Sequence, residues 1–138
     1  MRISKRKYYM DMAKDVSRRS TCLRRKVGSI IVQNNQLISA GYNGPPSGVK
    51  HCIQCNRTKP GEDLNSCVAI HAEINAIFEA LKTHKKFDTI YTTTEPCFYC
   101  SKLIVASGIK TIIYLDKYPI NQLCIDFLEL NCINKEQY

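Results

Sequence analysis

Apolar positions from about residue 5 to 20 recur with a helical period and place Tyr9, Met12, Ala13 and Val16 on one face. Two short β-branched runs follow in VGSIIVQNNQLISAGY, with Asn34-Asn35 between them. Asn tolerates positive φ, so the pair predicts a tight antiparallel hairpin. GYNGPPSG then breaks the pattern, and residues 50–68 add no clear period, so a long loop is expected. A loop of that length inside a compact domain needs a function or a staple. Beyond it, Ile74, Ile77, Phe78 and Leu81 fall at i, i+3, i+4 and i+7 and predict an amphipathic helix packed on a core. DTIYTTT reads as a buried strand, PCFYCSKLIVAS as a helix and TIIYL as another strand. NQLCIDFLEL reads as a last helix with Leu123, Phe127 and Leu130 on one side, and CINKEQY suits an edge strand. Strands alternating with helices imply a layered α/β domain, one unit over residues 1–138, with parallel strands in its second half.

Composition narrows the class. A 44% hydrophobic and 23% charged chain of 138 residues suits a globular domain with a real core. No apolar run approaches the roughly 18 residues of a membrane span. The start, MRISKRKYYMDMAKD, lacks the apolar segment of a signal peptide, so the expected location is the cytoplasm, with no membrane partner. In a reducing compartment eight cysteines serve as metal ligands or core fillers rather than disulfides. Cys124 and Cys132 read as packing residues. The formal charge of +8 sits in residues 1–26, where ten Lys or Arg oppose Asp11 and Asp15; the remainder balances. A basic end of this kind suits a phosphorylated partner, or else a solvated helix face.

Two titratable residues, His71 and Glu73, stand where the central helix begins. Further on, Pro96 suits the first position of a helix, which puts Cys97 and Cys100 near its first turn. The positive end of the helix dipole favours thiolates, the form that binds metal. One His and two Cys make three zinc ligands and leave a fourth position open, as in a catalytic site; a structural site is closed by four protein ligands. Glu73, two residues from His71, is placed to move protons without binding the metal. His71-Ala72-Glu73 with Pro96-Cys97-Phe98-Tyr99-Cys100 is the H-x-E, P-C-x-x-C pattern of zinc nucleobase deaminases.

HAEINAI, TTTEPCFYCSKLIVASGIKTIIYLDKY, GYNGPPSG and STCLRRKVGSIIV together resemble deoxycytidylate (dCMP) deaminases, a branch of the cytidine deaminase superfamily, over roughly residues 5–131. The zinc motif marks the superfamily; GYNG and DKY point to the dCMP branch. The resemblance implies a three-layer α/β/α fold with a five-stranded mixed sheet, in which strands 1 and 2 form an antiparallel hairpin and later strands run parallel. It implies an enzyme, a hydrolase converting dCMP to dUMP and ammonia for thymidylate synthesis, assembled as a homohexamer, activated by dCTP and inhibited by dTTP. By the same resemblance His71, Cys97 and Cys100 hold the catalytic zinc and Glu73 shuttles protons. Asn43 would hold the sugar, the backbone at Ala72 would meet the base, Tyr118 would close over it, and Arg24 would bind phosphate. A second phosphate-binding Arg found in bacterial members is Pro119 here, with Arg25, Lys26 and Lys117 as substitutes, and dCTP stays open as a further substrate. Tyr42, Asn43 and Gly44 are the candidate effector loop. The resemblance also pairs Cys22 with ligands from the long loop in a second, structural zinc, the candidates being Cys52, Cys55 and Cys67 with His51 in reserve.

Two rivals differ in class. A deaminase of polynucleotides (tRNA adenosine or single-stranded DNA cytosine) would use the basic first 26 residues to track a strand. Against it, the chain has no Trp and no aromatic-rich basic tail, so nucleic acid is disfavoured as a partner. A non-enzymatic zinc module for nucleic acid would use Cys52-x-x-Cys55 and Cys97-x-x-Cys100. The spacing between those pairs far exceeds the ~15–20 residues of a zinc ribbon, and such a module has no need of Glu73.

Overall fold

The computed structural model describes every residue except 58, 60 and 61. Helix α1 (Lys5–Ser17) starts where the Ser4 hydroxyl accepts from the Lys7 N–H at 3.1 Å, an N-cap that satisfies one of the orphan donors of the first turn. Strands β1 (Gly28–Gln33) and β2 (Gln36–Tyr42) form the expected hairpin, with Asn34 and Asn35 at φ 48° and 65°. Then come α2 (Ala72–Lys82), β3 (Thr89–Thr94), α3 (Phe98–Ala106), β4 (Thr111–Asp116), α4 (Gln122–Leu130) and the edge strand β5 (Asn134–Gln137). The sheet runs β2-β1-β3-β4-β5. Strand β1 is antiparallel to both neighbours, while β3, β4 and β5 are parallel.

Strand alternation builds the three layers. Ile30, Val32, Tyr91 and Ile113 point to one face and pack with Tyr9, Met10 and Ala13 of α1. Ile31, Ile90 and Ile112 point to the other and pack with Ala76, Ala80, Ile104, Cys124 and Leu128 of α2, α3 and α4. Central strands covered on both sides are buried at nearly every position, which is why β1, TIYTTT and TIIYL lack the polar alternation of a one-faced strand, and the buried hydroxyls of Ser29 and Thr92 bond to each other at 2.9 Å.

The helix faces differ in detail from the expected stripes. In α2, Ile74 and Ile77 are buried, but Phe78 and Leu81 are about half exposed, and Ala72, Ala76 and Ala80 face the sheet instead. Close approach decides this outcome. A Cβ on Gly41 of β2 would lie 2.4 Å from the Ala76 nitrogen and 2.6 Å from the Ala72 oxygen, so strand and helix touch backbone to backbone. The small side chains of these alanines suit such a seam. In α4 the buried residues are Cys124 and Leu128, while Leu123 and Leu130 face outward. In α1 the fully buried Met10 replaces the expected Met12, which is only partly covered.

Gly28 plays the same part under α1, where a Cβ would meet the Ala13 oxygen at 2.1 Å and the Ser17 nitrogen at 2.4 Å. Neither atom belongs to a flexible side chain, so the helix itself must shift. Gly28→Ala is therefore expected to destabilise the fold by at least the ~1–3 kcal/mol of ordinary overpacking. Thermal unfolding of the variant checks this, and an unchanged melting temperature would contradict it.

Candidate active site

Two helix N-termini converge at the carboxyl end of β3. His71 is the N-cap residue of α2 and Cys97 that of α3. The crossover from β3 to the parallel β4 carries α3 back over the sheet and starts it beside the strand end, the usual place for sites in such sheets. The His71 side chain makes no capping bond, and its ring turns toward the two thiols instead; the Cys97 sulfur accepts from the Cys100 N–H at 3.5 Å.

His71 Nδ1 lies 3.2 Å from Cys100 Sγ and 3.6 Å from Cys97 Sγ, and the three atoms fall within 4.8 Å of one another. A tetrahedral zinc at ~2.0 Å from a nitrogen and ~2.3 Å from a sulfur holds those atoms ~3.5 Å apart, so the donor set fits zinc in kind and spacing. Among the described residues no other such group of three or more His, Cys, Asp or Glu is found.

Glu73, in the first turn of α2, is 4% exposed, and its Oε2 lies 3.7 Å from Cys100 Sγ. Burial pushes its carboxyl up to about 7, against the pull of the His71 charge. The Cys97 thiol is drawn down to about 4, first by the hydrogen bond from Cys100, with His71 and the Cys100 N–H adding to it against burial. Cys100 is held well above its ordinary value, first by that same bond and then by burial. His71 is raised, chiefly by its hydrogen bond to Cys97. Sulfurs and imidazole thus share protons that a bound cation displaces.

Beside these groups lies a cavity of about 170 Å³. All four expected substrate-binding residues, Arg24, Asn43, Ala72 and Tyr118, line it, together with Arg25. Lys26 and Lys117, also expected as phosphate groups, are exposed and do not. Asn43 is committed to the backbone: its Oδ1 accepts from the Val27 N–H at 2.8 Å and its Nδ2 donates to the Arg25 carbonyl at 2.7 Å. It therefore fixes the Arg24–Val27 segment against the cavity. The guanidinium of Arg25 lies 5.6 Å from the centre of the Tyr118 ring, a cation–π contact.

Sequence reasoning missed two charged lining residues. Glu95 is buried and joined to Lys135 of β5 at 2.7 Å, and its Oε1 accepts from the Tyr118 N–H at 3.3 Å. Its position directly before the P-C-x-x-C run was the available signal. Arg57 comes from the long loop, where no periodicity pointed to it.

The loop is tied at its base by reciprocal bonds between Gly44 and Ile70, of 3.1 and 2.8 Å. Among its described residues lie a turn closed by the Val49 N–H on the Pro46 carbonyl at 3.0 Å and a short 3-10 helix, Leu64–Ser66. The structure does not bring Cys22, Cys52, Cys55 and Cys67 within the spacing of a shared ion: Cys22 lines the catalytic cavity, Cys52 and Cys67 are half-buried and Cys55 is exposed. Among the described residues of the loop the only regular element is the 3-10 helix Leu64–Ser66. Residues 42–44 straddle two cavities. Asn43 faces the first, whereas Tyr42 and Gly44 border a second of about 570 Å³ that His51 also lines.

Residues 3–116 match the cytidine and deoxycytidylate deaminase zinc-binding region. The chain belongs to the cytidine and deoxycytidylate deaminase family. It is 39% identical over 116 residues to the deoxycytidylate deaminase of Mycobacterium phage D29, covering 78% of this chain and 91% of that protein. It is 35% identical over 138 residues to the deoxycytidylate deaminase of Schizosaccharomyces pombe, covering 95% of this chain but 43% of the yeast protein's length. A dCMP deaminase from the cyanophage S-TIM5, crystallised with dCMP and dUMP, superposes with a TM-score of 0.83 at 31% identity, covering 100% of this chain and 99% of that one. The family is zinc-binding, in agreement with the donor set of His71, Cys97 and Cys100. Among the described residues no helix is long and apolar enough to cross a membrane.

Proposed function

We propose that residues 1–138 act as one deaminase domain that hydrolyses dCMP to dUMP and ammonia. The single observation carrying this reading is one cavity lined by His71 and Cys97 of the three-ligand zinc set, by the buried carboxyl of Glu73 and by arginines suited to a phosphate. The dCMP deaminase names of the relatives support it. Zinc in such a site is a Lewis acid that brings the pKa of water to about 7.

His71, Cys97 and Cys100 hold the ion and take no part in proton transfer. Glu73 receives a proton from the water that attacks C4 of the pyrimidine and returns it to the substrate. C4 gains oxygen from water, the C4–N bond breaks, and the amino group leaves as ammonia. The Ala72 backbone meets the base, the half-buried Tyr118 covers it, and Asn43 serves the sugar. Its two backbone bonds leave an N–H and a lone pair for that purpose. Arg24 binds the 5′-phosphate through charge-assisted hydrogen bonds.

Purified, zinc-loaded protein incubated with dCMP, dCTP, deoxycytidine, CMP and a cytosine-containing oligonucleotide tests the reading. Deamination of dCMP is the expected result, and activity confined to the oligonucleotide would replace dCMP with a polynucleotide substrate.

A homohexamer activated by dCTP and inhibited by dTTP belongs to the same proposal, the effector meeting Tyr42 and Gly44 in the second cavity. A dCMP saturation curve indifferent to both nucleotides would count against it. A structural zinc on Cys22, Cys52, Cys55 and Cys67, with His51 in reserve, is proposed to order the loop, since metal binding supplies folding free energy. The expected content is two zinc per chain, falling by one in Cys67→Ser with a lower melting temperature. A wild type saturating at one zinc would remove this ion and leave the catalytic one.

A further inference from the structure

Three guanidiniums face the catalytic cavity, from Arg24, Arg25 and Arg57. Among the described residues none of the three is in an ion pair with a carboxylate. The carboxylates lining the cavity are already engaged: Glu95 with Lys135 at 2.7 Å, and Glu73 beside the zinc ligands. Positive charge on the cavity wall is therefore left without a protein counter-charge, and a dianion of phosphate type matches it.

Arg57 is the least expected of the three and the best prepared. It is half-buried, and its Nε–H donates to the Glu62 carbonyl at 2.9 Å, which fixes the stem of the guanidinium; its terminal nitrogens lie beside the Tyr118 hydroxyl and keep further N–H groups for a ligand. Arg24, by contrast, reaches the Lys59 carbonyl at 3.5 Å, and Arg25 lies over Tyr118. The same loop thus holds one arginine by a side-chain bond to its own backbone and touches a second.

We propose that Arg57 is a specificity-determining residue that binds the 5′-phosphate of the nucleotide together with Arg24, so that the long loop selects nucleotides over nucleosides. The inference rests on the deaminase reading above. It gives this chain a second phosphate arginine from a different segment than the one that ends in Tyr118-Pro119.

Calorimetric binding of dUMP and of deoxyuridine to the zinc-loaded protein tests it without relying on turnover. Arg57→Ala is expected to weaken dUMP by about 10- to 100-fold, the effect of a lost charge-assisted bond, while deoxyuridine binding changes little. Arg57→Lys should recover part of the loss, since it keeps the charge and loses the planar fork. In kinetics the loss for dCMP should appear in KM rather than kcat. Unchanged dUMP affinity in Arg57→Ala, or equal losses for nucleotide and nucleoside, would overturn the assignment. A wild type that binds dUMP but deaminates no cytosine compound would instead overturn the parent reading, a separable result.

Discussion

Glu73→Gln is expected to keep its zinc and lose deamination, with kcat falling by about 10²–10⁴-fold or more, the usual worth of a positioned general acid–base. Gln has the shape of Glu, so the buried space in the first turn of α2 stays filled, and the amide cannot accept the proton that the attacking water must lose. Glu73 is not one of the three atoms gathered for the ion, so metal content should match the wild type. The sugar and phosphate groups of the ligand would meet other residues, so dUMP affinity should hold. Steady-state kinetics with metal analysis on the same preparation decides it. Near-normal turnover would mean that another group moves the proton.

His71→Ala is expected to fail in the opposite order, losing zinc first and activity with it. Changing a partner one shell out from a metal costs about 10–100-fold in affinity or activity, and removal of a ligand should exceed that range. The structure makes the experiment clean. His71 occupies the N-cap of α2 without making a capping bond, so Ala removes no helix-stabilising contact. Far-UV circular dichroism should therefore be unchanged while zinc at this site is lost. A variant with full zinc and full activity would move the metal centre elsewhere. One that unfolds would show that His71 supports the helix in a way its geometry does not reveal.

The metal site was legible in the sequence because its chemistry is local. Each ligand stands at a helix start, and helix starts announce themselves through Pro96 and through the change from loop to periodic residues at Ile74. The layered sheet was legible too, since continuous β-branched runs such as SIIV carry both faces in one stretch. The buried face of α2 was not. Its stripe pointed to Phe78 and Leu81, but packing was decided by the missing side chain of Gly41, some thirty positions earlier in the chain. Glu95 and Lys135 could not be paired by reading either segment alone, because the register of β5 beside β4 is what brings Lys135 to Glu95. Arg57 was hidden for a simpler reason: an aperiodic loop gives no rule for which side chains turn inward.

The reciprocal bonds between Gly44 and Ile70 have a consequence for how such a protein can change. They join backbone to backbone, so they depend on no side chain, and they hold Asn43 and His71 at the foot of the loop whatever the loop contains. Doubling the length of a closed loop costs only about 0.6 kcal/mol in entropy. Residues 45–69 therefore form an exchangeable cassette: they can be lengthened, shortened or swapped with little effect on the placing of the zinc ligands, and each exchange brings a new set of side chains, Arg57 among those now present, to the mouth of the same reaction chamber.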